Sequence, residues 1–136
     1  MADEAATEFL RSAMPLCGVL DMTAEKNAPD EIVLSMEWRD ELCTGGGLLH
    51  GGAIMALADS AGGACAFANL PEGATGTATI ESKTNFLGAV RSGTVTATAK
   101  PLHKGSMTIV VETEVSDDTG KLVAKVTQTQ AVLGKT

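Results

Sequence analysis

The run LHGGAIMALADSAGGACAF, residues 49–67, places His-Gly-Gly ahead of a nearly unbroken apolar stretch with one acid, Asp59, in its middle. Two kinds of chemistry fit those residue types. The stretch reads as a helix, and the first N–H groups of a helix have no intrahelical acceptor and carry partial positive charge. Gly51 and Gly52 leave those groups uncovered, so an oxygen acquiring negative charge can approach them. The glycines could equally serve only the close packing of the helix start. Asp59 supplies the second group. Charged side chains are rarely buried unless paired or put to use. A carboxylate in an apolar, partly dry setting is more basic than in water, which suits it to activate a water or to attack directly. The alternative is a packing residue bonded to nearby backbone. His50 could orient a ligand at the helix start or simply cap the helix.

A chain of 136 residues is one domain's worth, and residues 1–136 are expected to form a single domain. With 44% hydrophobic and 20% charged residues it has the balance of a soluble globular protein. Aromatic residues are only 3% and the formal charge is −7, which leaves neither stacking platforms nor a basic patch for nucleic acid. Cys17, Cys43 and Cys65 are odd in number and form no C-x-x-C pair, so a reducing, cytoplasmic setting is expected, with Cys65 in the core. Two distant histidines, His50 and His103, give no metal site. The first residues carry acids and no basic segment, unlike a signal peptide. As a membrane span, residues 51–70 would hold Asp59 near the bilayer centre, at about 3 kcal/mol, so no membrane association is expected.

Several elements must position these groups. Residues 3–15 read as a short amphipathic helix ending at Pro15, with Phe9, Leu10 and Met14 on one face. IVLSMEW, from Ile32, reads as a strand, and DELCTGGGL as a loop. The central helix stops at NLPEG. Four Thr- and Val-rich strands follow, within residues 74–90, 92–103, 106–117 and 120–133, with RSG, HKG and DDTG as turns. Short turns between consecutive strands predict antiparallel pairing in chain order. The expected architecture is α+β, with an antiparallel sheet wrapped around one long central helix.

This order, together with LHGG followed by LAD, resembles the hotdog fold, specifically the PaaI-like acyl-CoA thioesterases of the 4-hydroxybenzoyl-CoA thioesterase superfamily. His50, Gly51, Gly52 and Asp59 match the family's H-G-G and the acid nine residues after the His. TIESKTNFLGAVRSG and HKGSMTIVVETEVSDDTGKLVA extend the likeness, which runs from about Met14 to Leu133. Two positions depart from the pattern: Thr44 stands where Asn is common, and Gly88-Ala89 where Arg-Pro is usual.

The resemblance implies hydrolysis of acyl-CoA thioesters to free acid and CoA. CoA is then part of the substrate, and no separate cofactor is expected. The Gly51 N–H would polarise the thioester carbonyl, with Asp59 as base or nucleophile. Thr79 aligns with a strand position whose hydroxyl holds the attacking water, and Thr44 with a polarising position. Arg91, Lys104 and Gly105 fall where the family meets the CoA nucleotide. Gly51 and Asp59 are eight residues apart, roughly 12 Å along a helix, whereas a base must approach within about 3 Å of its target. A second chain across a two-fold axis can supply the acid, as the family's dimer-interface sites do. A homodimer at least, and a homotetramer beyond it, is expected. Two alternatives stand beside this reading: a non-catalytic acyl-CoA-binding module, and a hotdog hydratase or dehydratase. The hydratase's Asp-then-His order is absent.

Overall fold

In the computed structural model, which describes residues 2–134, a six-stranded antiparallel sheet curls around one helix. Helix α1 spans Glu4–Ala13 and α2 Pro15–Val19. Strands β1 (Thr23–Ala28) and β2 (Glu31–Glu37) form a hairpin. Helix α3 spans Gly51–Phe67, and β3 (Gly76–Phe86), β4 (Thr94–Lys104), β5 (Thr108–Ser116) and β6 (Leu122–Leu133) follow. The strand order is β1-β2-β4-β5-β6-β3.

Two features depart from the sequence expectation. The segment TAEKNA forms a strand, β1, although its composition is polar and poor in β-formers. It is an edge strand, paired with β2 on one side and hydrogen-bonded at Ala24 to Asp3 and Thr7 at the start of α1. The second departure concerns β3, which pairs with β6 and not with its successor β4. Both edges of β4 are already occupied, by β2 and β5. Residues 87–93 therefore cross over instead of forming a hairpin. Along this crossing the Leu87 and Gly88 N–H groups bond to the Val123 carbonyl, and the Leu49 N–H to that of Val90.

The first helix also divides. It ends at Ala13, and Pro15 then opens α2, since proline suits a first helical turn. Leu10 is buried, but Phe9 stands outside.

Helix α3 is apolar on every side, yet one face packs on the sheet. Leu57, Ala58, Ala61 and Cys65 are fully buried against Val95, Ala97, Val111 and their neighbours. Burial lifts the Cys65 thiol to about 11 and raises that of Cys17, so both act as small core residues. Before α3 the chain makes two single turns, Asp40–Leu42 and Gly45–Gly47. Gly46 and Gly47 have φ of 78° and 74°, a left-handed conformation that requires glycine in practice. Their loop is anchored where the Trp38 Nε1–H donates to the Gly47 carbonyl at 3.1 Å.

Candidate active site

His50 is the N-cap of α3: its Nδ1 accepts the Gly52 N–H at 2.7 Å. The Ala53 and Ile54 N–H groups both turn back to the His50 carbonyl. Among the described residues this leaves the Gly51 N–H without an acceptor. One donor therefore points out of the helix start, and His50 fixes the turn that presents it. The ring of Phe86, at the end of β3, lies over this glycine; a Cβ at position 51 would sit 3.1 Å from its Cζ.

Asp59 lies two turns further along. In the single chain Asp59 is exposed. Since α3 is apolar all round, its sequence does not say which face meets the sheet. Ile54, Leu57, Ala58 and Ala61 took that place, and Asp59 shares the outer face with Gly52 and Met55. Its Oδ1 accepts a hydrogen bond from Gln128 Nε2 at 3.3 Å.

Beside Asp59 opens a cavity of about 400 Å³ that Thr79, Gln130 and Gly63 also line. Thr79 Oγ1 accepts from Gln130 Nε2 at 2.7 Å, which frees the hydroxyl proton to donate elsewhere. A register shift in β3 between Thr79 and Glu81 lies at this point, a device that re-aims side chains beside sites.

Gln128 and Gln130 escaped the sequence reading, although both are buried. Gln128 has its Oε1 against α3 at Gly62, where any Cβ would overlap the amide, and that oxygen has no hydrogen-bond partner among the described residues. The signal was two amides at alternate positions of KVTQTQAV, on the strand face that turns inward.

The other expected positions scatter. Thr44 is exposed, one residue past the bridge between Cys43 and Leu49. It does not line the cleft that Cys43, His50 and Gly52 share. Arg91 is exposed on the crossing segment, next to Val90, which bonds to Leu49 near the helix start. Lys104 and Gly105 lie at the opposite end of β4, ten residues from Thr94 and so about 33 Å away. One chain thus does not bring Arg91 together with Lys104 and Gly105. Gly105 has a local reason as well: a Cβ there would press on the Thr108 carbonyl at 2.9 Å. Among the described residues no helix is long and apolar enough to cross a membrane.

A helix with a free N-terminal donor, wrapped by an antiparallel sheet and carrying an acid two turns on, defines a hotdog-fold thioesterase. Residues 46–124 match the family model of the thioesterase superfamily, and the chain belongs to that family. It is 32% identical to the 1,4-dihydroxy-2-naphthoyl-CoA hydrolase of Escherichia coli, covering 87% of this chain and 86% of that one. A Saccharolobus solfataricus protein named for esterase activity is 36% identical, covering 90% and 86% of the two chains. Among solved structures, a mutant thioesterase from Pseudomonas aeruginosa superposes with a TM-score of 0.86 at 29% identity over 93% of each chain. A thioesterase from Haemophilus influenzae gives 0.82 at 28% identity, over 92% of this chain and 90% of that one.

Proposed function

We propose that this thioesterase hydrolyses acyl-CoA thioesters to the free acid and CoA at a site completed by two copies of the chain. The observation that carries the shared site is the separation of its two working groups. On the uninterrupted helix Gly51–Phe67 the free Gly51 N–H and Asp59 are about 12 Å apart, too far to act on one carbonyl. Met55 lies midway between them and is 40% exposed. A two-fold axis passing near Met55 sets Gly51 of one subunit beside Asp59 of the other. Gly52 and Gly63 on the outer helix face let a second backbone approach closely, and the eleven-residue strand β3 has one edge unpaired. Covering that face would also give Asp59 the partly dry surroundings that a single chain does not provide.

In the chemistry we propose, the thioester oxygen settles on the Gly51 N–H and the positive end of α3. Asp59 of the second subunit either removes a proton from water or attacks the carbonyl carbon itself. The Thr79 hydroxyl, oriented by Gln130, donates to a carboxylate or water in the Asp59 cavity, and Gln128 holds the carboxylate through its amide N–H. His50 acts by capping the helix. Arg91, on the segment tied to the helix start, is the cation we assign to the CoA phosphates. Thr44 would approach the carbonyl only if the glycine loop moved. No step in this scheme requires a metal or a separate cofactor. The free thiols of Cys17, Cys43 and Cys65 suit the reducing cytoplasm where we place the enzyme.

Purified protein incubated with acetyl-, octanoyl- and benzoyl-CoA should release free CoA thiol from at least one of them, read with a thiol-reactive dye. Tight binding without thiol release across the panel would make the chain an acyl-CoA-binding module instead.

A further inference from the structure

A second cavity of about 250 Å³ lies between α1, the β1–β2 hairpin and the last turns of α3. It shares five wall residues with the cavity beside Asp59, Phe9, Ala13, Met14, Ala64 and Phe67, so the two lie side by side with these side chains between them. Beyond those walls the deeper space is floored by Ala24, Ile32 and Leu34, all buried and apolar. The one cation on its rim, Lys26, is held outside by Glu31 at 3.1 Å and Asp30 at 3.9 Å, and so is not free to meet an anionic ligand end. The roof is fixed as well as apolar. Asp3 bonds through its N–H to the Ala24 carbonyl, the Ala24 N–H donates to Thr7 Oγ1, and Arg11 Nε donates to the Met22 carbonyl.

We infer that this space continues the acyl site, so that the enzyme accepts linear aliphatic acyl groups whose length α1 limits. The inference rests on the Asp59 cavity being where the thioester is held. A rigid aryl group would stay in the first compartment. A flexible hydrocarbon chain can pass between Phe9 and Phe67 and place its methyl end on Ala24. Phe9 and Phe67 are 61% and 52% exposed, so both rings have room to turn aside at this passage. Two cavities of this combined size fall within the range of small-molecule sites, and the second is apolar apart from Lys26 and Asn27, both exposed at its rim.

Binding tests this independently of turnover. Calorimetry on the Asp59→Asn protein with acetyl-, butyryl-, hexanoyl-, octanoyl- and dodecanoyl-CoA should show Kd falling about fourfold per added methylene up to a limit, the value for burying one methylene. Ala13 is an exposed helix residue at the shared wall. In the same background Ala13→Phe should close the passage, lowering that limit while leaving butyryl-CoA affinity within about twofold. Ala24→Leu, at the far end, should remove only the gain from the longest chains. Affinity that ignores chain length beyond butyryl, or a limit that neither variant moves, would overturn the inference even if the enzyme hydrolyses every thioester. Length-dependent binding that both variants shorten, without hydrolysis by the unmodified protein, would uphold it and count only against the catalytic reading.

Discussion

Asp59→Asn should reduce thioester turnover by about 10²-fold or more while leaving folding and acyl-CoA affinity nearly unchanged. The substitution keeps the shape of the side chain and changes its chemistry. Asp59 is exposed, and among the described residues its one hydrogen bond is accepted from Gln128 Nε2, which an Asn carbonyl oxygen accepts equally well. No core contact is lost, so thermal melting should coincide with that of the parent. An amide is neither a base nor a competent nucleophile at neutral pH, and the loss falls on kcat. Turnover within about threefold of the parent would remove Asp59 from the mechanism.

Gly51→Pro should lower turnover by a comparable factor, about 10²-fold, through the loss of one hydrogen-bond donor to the developing oxyanion. Proline is tolerated at the first position of a helix, and no intrahelical bond is lost there. The preceding residue, His50, already has φ −62° and ψ 134°, the conformation proline demands of its neighbour. The new ring would touch Phe86, whose half-exposed side chain can move aside. Gly51→Ala is the control, since it adds the same Cβ against Phe86 and keeps the N–H. If Ala retains activity and Pro loses it, the donor is the cause. Equal losses would point to the contact with Phe86.

The helix, its glycine start and its acid could be located in the sequence because capping, helix-breaking and an isolated charge are all local signals. Sheet order could not. Whether β3 pairs with β4 or β6 depends on β2 having taken one edge of β4, a fact no stretch of residues carries. The polar segment TAEKNA became a strand for the same tertiary reason. Gln128 and Gln130 share a face of β6 with Ala124, Val126 and Val132, so period two could place them inside. Their meeting with Asp59 and Thr79 is long-range, and no local stretch carries it. The direction of Asp59 was equally hidden, since an all-apolar helix has no face its sequence can mark.

The claim that two subunits share each site is tested most directly by mixing the two lesions. Gly51→Pro and Asp59→Asn homodimers should each be nearly inactive, since every site lacks one part. Co-folding equal amounts yields heterodimers in about half the population. In each heterodimer one site collects both lesions and the other pairs an intact Gly51 with an intact Asp59. Thiol release by the mixture should therefore return to about a quarter of the parent rate. With heterodimers verified by differential tagging, the absence of any recovery would contradict the account, because a site confined to one chain carries a lesion in every copy.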